Sequence, residues 1–397
     1  MKSRDQGGSM AKTIFEINEK IRSGKAVILT AEEIIGMVRE KGIAETAKTV
    51  DVVTTGTFGP MCSSGAFLNF GHSTPAIRMN KVWLNDVPAY AGVAAVDAFI
   101  GATEMSETMG MQYGGAHVIE DLVAGKDIEL RAESYGTDCY PRKKIRTTIN
   151  RTNINQAYMF NPRNAYQNYP AATNSTDRIL YTYMGTLLPK FGNVTYSTSG
   201  ELSPLLNDPE YRTVGIGSRI FLGGAQGYVA WEGTQHDPGQ ERLANGTPVS
   251  LAGTLAVIGD LKQMDSRYIR AAVYEKYGVS LFVGIGIPIP ILDEDMVMKT
   301  AVSNRDIVTQ VVDKSGRENL NLRVTYEQLR SGHIEIKGKQ IATAPLSSLK
   351  MAREIAGKLK EWMERGEFQL SEPVAPLPNR DTRLQRLEIR GDFHEDR

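Results

Sequence analysis

The sequence has little cysteine and no excess of charge of either sign. Its 397 residues include two cysteines, Cys62 and Cys139. Two cysteines cannot build a disulfide framework or supply a four-thiolate metal site from one chain, so free thiols are expected. Because 46 basic residues balance 46 acidic residues, no net field attracts nucleic acid or an anionic membrane. We therefore expect no nucleic-acid partner.

Long hydrophobic runs are also lacking. Residues 280–292 form one of the longest, which is too short to span a bilayer and is broken by Gly and Pro, and no secretory segment opens the chain. We expect no membrane association and a cytoplasmic location. Hydrophobic residues at 41% and charged residues at 23% are typical of a globular protein, and at this length we expect two or three lobes around a shared site.

Apolar periodicity and turn residues together predict a mixed α/β fold. Residues 1–9 look like an added leader before a second methionine, and residues 371–397, rich in proline and charge, are expected to be a tail. Between them we predict an α/β lobe over residues 10–125, a β-rich segment over residues 126–240 and another α/β lobe over residues 241–370. Glycine-rich loops from these parts are expected to converge on one site.

Local signals predict individual elements. Thr30 and Glu33 form a capping box at the start of a helix that ends at Gly42. Further helices are predicted at residues 115–124, 266–277 and 347–365. Strands are predicted at residues 50–55, 81–87, 144–154, 178–184, 193–197, 220–231, 255–258 and 281–287.

Cys139 is the first candidate for a reactive thiol. It stands beside Gly136 and Pro141 in a predicted turn, and three cations follow within five residues. Cations beside a thiol stabilise its nucleophilic thiolate, which favours a catalytic role. Alternatively, the cations are solvated surface charges that leave the thiol unaffected.

Cys62 is its expected companion, because it follows a predicted strand in a stretch rich in glycine and hydroxyl residues. Backbone N–H groups in such a turn can cradle an anion or a sulfur anion, which makes Ser63, Ser64 and Gly65 candidate binding residues. The spacing matches neither a P-loop nor a dinucleotide-binding loop. The alternative is a structural turn with a buried thiol.

Histidine and arginine supply the remaining candidates. His72 and His117 lie close to glycines and could act as general acids, although each could equally make a structural polar contact. No pair of histidines has zinc spacing, and His236 is as consistent with capping a turn as with catalysis. Arg219, in the glycine-rich residues 215–227, could hold a carboxylate in a bidentate pair.

Four segments together resemble the homocysteine biosynthesis family, and the resemblance extends over about residues 12–365. The segments are residues 56–72 around Cys62, residues 137–144 around Cys139, residues 215–227 and residues 284–295. The resemblance implies an L-aspartate semialdehyde sulfurtransferase, which uses sulfur and two electrons to convert the substrate aldehyde into the thiol of homocysteine.

This resemblance also implies roles and partners. Cys139 would accept sulfur as a persulfide and Cys62 would resolve it as a disulfide. An arginine, Arg142, Arg146 or Arg219, would hold the substrate carboxylate, and His72 or His117 would donate a proton. Members often carry C-terminal cystathionine-β-synthase-type modules and act with a ferredoxin-like protein. Because few residues follow residue 370, we expect this chain to depart from that pattern and to lack such modules. We expect the reductant to be a separate chain and this chain to form a homodimer.

Two other functions stay open. In one, the cysteines, with another ligand or a second subunit, hold an iron–sulfur cluster that delivers the sulfur. In the other, the chain is a non-catalytic protein whose glycine loops bind an anionic metabolite.

Overall fold

The computed structural model describes residues 11–378 and 384–388, so the predicted leader at residues 1–9 lies outside the described residues. No helix within them is long and apolar enough to cross a membrane. The described α-helices lie at Ile14–Arg22 (α1), Ala31–Lys41 (α2), Ile43–Thr49 (α3), Gly115–Val123 (α4), Pro204–Asn207 (α5), Glu294–Thr300 (α6), Tyr326–Arg330 (α7) and Leu349–Glu364 (α8).

Strands make up most of the regular structure, which confirms the mixed α/β prediction. They lie at Ile28–Thr30 (β1), Val52–Thr54 (β2), Thr57–Pro60 (β3), Gly65–Asn69 (β4), Lys81–Leu84 (β5), Val87–Ala89 (β6), Asp97–Gly101 (β7), Met105–Ser106 (β8), Gly110–Gly114 (β9), Ile128–Glu133 (β10), Lys144–Ile149 (β11), Gln156–Asn164 (β12), Ala171–Thr173 (β13), Leu180–Thr182 (β14), Gly185–Leu187 (β15), Val194–Tyr196 (β16), Gly215–Ile216 (β17), Arg219–Leu222 (β18), Ala225–Glu232 (β19), Leu255–Asp260 (β20), Ile269–Tyr274 (β21), Gly278–Gly286 (β22), Pro288–Pro290 (β23), Val308–Asp313 (β24), Leu322–Thr325 (β25), His333–Ile336 (β26), Lys339–Pro345 (β27) and Ala375–Pro376 (β28).

Helices with explicit end signals were predicted correctly. The capping box of α2 is present, since the Thr30 N–H donates to the Glu33 carboxylate at 2.7 Å and the Glu33 N–H donates to the Thr30 hydroxyl at 3.3 Å. The predictions of α4 and α8 are confirmed as well.

The helix predicted at residues 266–277 is wrong. Residues 269–274 form β21, which pairs antiparallel with β22 over six residue pairs, from Ile269 opposite Val283 to Tyr274 opposite Gly278. Lys276, with a φ of 53°, turns the chain between the two strands. Pairing with the apolar β22 therefore overrides the helical spacing of the apolar residues.

Two predicted strands are hairpins instead. Residues 81–87 turn at Asn85 and Asp86, whose φ values are 48° and 66°, and residues 220–231 turn at Gly223 and Gly224, with φ values of 58° and 91°. Two consecutive residues with positive φ match the twist that a two-residue hairpin needs.

Nine strands form an antiparallel sheet in the order β21-β22-β18-β19-β20-β12-β4-β7, with β3 also paired to β22. This sheet takes strands from all three predicted segments. A six-stranded mixed sheet in the order β25-β24-β13-β16-β27-β26 has its own hydrophobic cluster around Tyr326. Within the predicted tail, β28 pairs with β17 and Leu377 is buried.

Helix α8 packs closely on β3 and on the residues that precede it. A Cβ atom at residue 56 would lie 2.1 Å from the carbonyl oxygen of Ala352, so this crossing needs glycine at residue 56. Farther along the same segment, a Cβ at residue 59 would lie 2.3 Å from the Ser347 hydroxyl oxygen. Both glycines thus serve close packing, Gly56 against the first turns of α8 and Gly59 against Ser347 just before the helix.

Candidate active site

A cavity of about 50 Å³ opens where the nine-stranded and six-stranded sheets meet. Its wall combines one thiol with many hydroxyl groups and phenols. The lining residues come from seven separate stretches of chain and are Thr57, Gly59, Pro60, Met61, Cys62, Ala165, Tyr166, Tyr169, Tyr183, Met184, Ser197, Thr198, Ser203, Pro204, Tyr274, Tyr277, Ser280 and Ser347.

Cys62 lies in the tight loop between β3 and β4. The Met61 N–H donates to the carbonyl oxygen of Leu281 at 2.7 Å, and the Ser64 N–H closes the turn onto the Met61 carbonyl oxygen at 3.0 Å. Burial raises the pKa of the Cys62 thiol. The N–H groups of Cys62 and Ser63 and the charge of Arg163 act in the opposite direction, but burial has the larger effect.

Ser63, Ser64 and Gly65, the predicted binding residues, fix this loop. The Ser63 hydroxyl hydrogen-bonds the side-chain oxygen of Asn161 at 3.0 Å, and the Asn161 amide donates to the Ser64 hydroxyl at 2.9 Å. A Cβ at residue 65 would lie 2.2 Å from the ring of Phe99. None of the three predicted residues is among the described residues that line the cavity.

Five tyrosines form much of the cavity wall, and sequence reasoning missed them all. Burial raises the pKa of Tyr166 to about 12 and raises the pKa values of Tyr169, Tyr274 and Tyr277 as well, with the nearby Cys62 sulfur contributing to each shift. These four phenols are therefore neutral hydrogen-bond donors at physiological pH. The sequence offered one signal for these residues. The chain has 16 tyrosines, and two pairs of them, 166/169 and 274/277, are each three residues apart.

Lys314 reaches the tyrosine wall from the end of β24. Its ammonium donates to the Tyr183 phenol oxygen at 2.6 Å and lies 4.8 Å from the centre of that ring. Tyr169 donates to the same oxygen at 3.0 Å.

Three hydroxyl groups on the wall have no hydrogen-bond partner among the described residues. They belong to Thr198, Tyr274 and Ser280. The residues Thr198 and Ser280 are 8% and 1% exposed. A buried hydroxyl without a partner costs free energy that a polar ligand would recover. The cavity is thus chemically matched to a small polar molecule.

Cys139 lies elsewhere, exposed on the loop between β10 and β11 and outside the cavity lining. The Arg142 guanidinium, predicted to bind substrate, donates to the carbonyl oxygens of Thr74 at 2.8 Å and Pro75 at 3.0 Å. His72 stacks on Tyr140 with 6.0 Å between ring centres. The structure therefore brings the Cys139 loop and His72 together on one surface.

The other predicted residues have structural contacts outside the lining. His117 accepts the Gly114 N–H at 3.1 Å at the start of α4, and burial lowers its pKa. Arg146 pairs with Glu129 at 2.6 Å, and Arg219 donates to the Gln369 carbonyl oxygen at 3.2 Å.

His236 is buried, which lowers its pKa, and its Nδ1 accepts the Thr254 N–H at 3.1 Å.

The wall around Cys62 does not suit an iron–sulfur cluster. Such clusters take thiolates as ligands, whereas the groups beside Cys62 are phenols, aliphatic hydroxyls and apolar side chains. Across residues 11–378 and 384–388, no group of three or more His, Cys, Asp or Glu side chains is arranged to hold a metal ion.

Comparison with known proteins gives a family match over most of the chain. The family is described as "Homocysteine biosynthesis enzyme, sulfur-incorporation", and the match covers residues 26–370. No solved structure matches the chain.

Curated relatives carry matching descriptions. A Methanosarcina acetivorans protein named L-aspartate semialdehyde sulfurtransferase is 54% identical over 92% of this chain and 72% of its own length. A protein of the same name from Methanocaldococcus jannaschii is 52% identical over 92% of this chain and 73% of its own length. An uncharacterized Methanothermobacter thermautotrophicus protein is 31% identical over 83% of this chain and 74% of its own length.

Proposed function

The chain belongs to the homocysteine biosynthesis family and is a sulfurtransferase, and from this premise we propose that it converts L-aspartate semialdehyde into homocysteine in the cavity beside Cys62. The observation that carries the proposed location is the position of the thiols. Of the two cysteines, Cys62 lines the hydroxyl-rich cavity, whereas Cys139 is exposed on a loop outside its described lining.

Cys62 carries the sulfur in this proposal. Its thiolate attacks the outer sulfur of a persulfide or polysulfide donor, the donor's sulfur–sulfur bond breaks, the rest of the donor leaves as a thiolate or shorter polysulfide, and Cys62 becomes a persulfide. The terminal sulfur adds to the aldehyde carbon, and the carbonyl electron pair moves to oxygen, which takes up a proton. Two electrons and two protons then open the sulfur–sulfur bond, which restores the Cys62 thiol and releases an α-hydroxythiol. Loss of water gives a thioaldehyde, and two further electrons and two protons reduce it to the thiol of homocysteine. The total is four electrons, because sulfane sulfur needs two electrons more than the two that sulfur at the oxidation level of sulfide would need.

Cys139 takes a different part from the one that the sequence favoured. An exposed thiol on a surface loop suits exchange with another protein better than attack on a substrate in the cavity. We assign it to contact with the sulfur donor or with a ferredoxin-like reductant that supplies the electrons. The Arg142 side chain donates to the backbone carbonyl oxygens of Thr74 and Pro75, and these bonds hold the loop around this thiol in one conformation.

The acid for the carbonyl oxygen comes from the cavity wall. His72 and His117 do not line the described cavity, so the proposed mechanism does not use them. Neutral phenols and hydroxyl groups line it instead. We also place the enzyme in the cytoplasm, where free thiols persist, and expect a homodimer, which analytical ultracentrifugation can check.

Turnover of purified protein tests the proposal. The protein is supplied with L-aspartate semialdehyde, polysulfide and a dithiol reductant, and homocysteine is measured by mass spectrometry against a reaction without protein. We expect homocysteine from the natural sequence and none above background from Cys62→Ser. Polysulfide treatment without aldehyde should add one sulfur atom to the peptide that contains Cys62. No homocysteine from the natural protein would refute the proposed function.

A further inference from the structure

Two of the unpartnered hydroxyl groups lie on one hairpin of the cavity wall. The Tyr274 phenol comes from β21 and the Ser280 hydroxyl from β22, and neither has a hydrogen-bond partner among the described residues. Ser280 is 1% exposed. Since both residues line the cavity, their buried hydroxyls are unpaired donors that a molecule in the cavity could satisfy.

The pairing of β3 with β22 brings Ser280 and Cys62 to the same cavity. Pro60 of β3 is the partner of Phe282 in β22, and the next residue of the β3 strand is tied to β22 by the hydrogen bond from the Met61 N–H to the Leu281 carbonyl oxygen, 2.7 Å. The turn that carries Cys62 begins at this point, and Cys62 and Ser280 both line the cavity.

Tyr274 shares the face of Ser280. Ser280 is the register partner of Ala272, and Ala272 and Tyr274 point to the same side of β21 because side chains alternate along a strand. The phenol and the hydroxyl are thus diagonal neighbours. The Cys62 sulfur is close enough to Tyr274 to be the second cause, after burial, of its raised pKa.

We propose that Tyr274 and Ser280 donate hydrogen bonds to the carbonyl oxygen of L-aspartate semialdehyde and hold the oxyanion that develops when the Cys62-borne sulfur adds to the carbon. This assignment rests on the proposed function and deepens it. The group of the substrate that must come nearest to Cys62 is the aldehyde, so donors beside Cys62 face the aldehyde oxygen. Two neutral donors suit an oxygen whose negative charge is transient and is then neutralised by a proton.

Removal of each hydroxyl tests the assignment. We expect Tyr274→Phe and Ser280→Ala to lower kcat each by about 10²- to 10³-fold, the loss measured for one oxyanion donor, while KM changes little. Because neither hydroxyl has a partner in the described fold, neither substitution should lower Tm.

A matched control separates this role from a general effect of removing a buried phenol. The Tyr326 phenol oxygen is also buried without a hydrogen-bond partner among the described residues, but it lies in the hydrophobic cluster of the six-stranded sheet. Tyr326→Phe should leave kcat and KM unchanged, with a Tm no lower than that of the natural protein.

The outcomes distinguish the two proposals. If the natural protein forms homocysteine and Tyr274→Phe and Ser280→Ala retain full kcat, the oxyanion assignment is overturned while the proposed function stands. A rise in KM with unchanged kcat would also overturn it, because the hydroxyls would then bind substrate and transition state equally. If the natural protein forms no homocysteine, the proposed function itself fails.

Discussion

The Lys314 ammonium donates a 2.6 Å hydrogen bond to the phenol oxygen of Tyr183. Tyr169 donates to the same oxygen at 3.0 Å. Since the Tyr183 oxygen accepts from both groups, its own proton remains free to donate to another group. Lys314 comes from the six-stranded sheet and Tyr183 from the turn after β14, so one cation holds two tyrosines of the wall in a defined arrangement.

Replacing Lys314 should loosen this wall. A hydrogen bond from a charged donor contributes about 1.5–3 kcal/mol, so we expect Lys314→Met to lower kcat/KM by about ten- to a hundredfold at most. The side chain of Lys276 offers a control, because its ammonium lies 4.6 Å from the ring centre of Tyr181, which is not among the described lining residues. Lys276→Met should retain full kcat/KM, and equal losses in both variants would contradict the role assigned to Lys314.

The exposed thiol should matter only when another protein takes part. We expect Cys139→Ser to form homocysteine normally from polysulfide and a dithiol reductant, because small molecules reach the cavity directly. With a protein donor or a ferredoxin-like reductant, turnover should fall steeply. Loss of activity with small molecules alone would instead place Cys139 in the attack on the aldehyde.

Local signals predicted parts of the fold, while pairing between distant segments decided the rest. The capping box of α2 and the glycine after α4 lie within a few residues of the helices they delimit, so both helices could be found from the sequence. Strand β21 could not, because its partner β22 decides its conformation.

The candidate site was only half predictable. Cys62 could be found because its loop is rich in glycine and hydroxyl residues, and it lines the cavity. The partners of Cys62 could not be found, because Tyr166, Thr198 and Tyr274 come from segments roughly 100 to 200 residues away, and no spacing in the sequence connects them. The glycines before Cys62 suggested an anion loop, but the structure uses Gly56 for the contact with α8.

Gly56 and Gly357 should respond to alanine in opposite directions. At residue 56 a Cβ would lie 2.1 Å from a backbone oxygen of α8, and we expect Gly56→Ala to lower the free energy of unfolding by about 1–3 kcal/mol. At residue 357, inside α8, a Cβ would meet nothing within 4 Å. Gly357→Ala should therefore raise the free energy of unfolding by about 0.5–1 kcal/mol. Urea denaturation measures both, and destabilisation by Gly357→Ala would contradict the packing described for α8.

The reactivity of Cys62 should depend on pH in a direction that its surroundings fix. Burial raises the pKa of this thiol, so only a minor fraction is thiolate at neutral pH and alkylation should accelerate as pH rises beyond the range usual for a free thiol. The positive charge of Arg163 lowers the pKa, so Arg163→Met should raise it further. The rate of iodoacetamide reaction against pH, measured in a Cys139→Ser background where Cys62 is the remaining cysteine, reports both effects.

Arg163→Met should therefore react more slowly at neutral pH and reach its half-maximal rate at a higher pH than the parent. Arg305 provides the control, since it pairs with Glu327 at 3.0 Å and is not among the groups that shift the Cys62 pKa. Arg305→Met should reproduce the parent curve.

Arg163 also holds the side chains of Thr234 and Gln235, so a merely disordered loop would expose the thiol and accelerate alkylation at every pH. A curve displaced to higher pH with an unchanged plateau identifies the electrostatic effect, whereas a curve displaced to lower pH would show that the Arg163 charge does not stabilise the thiolate.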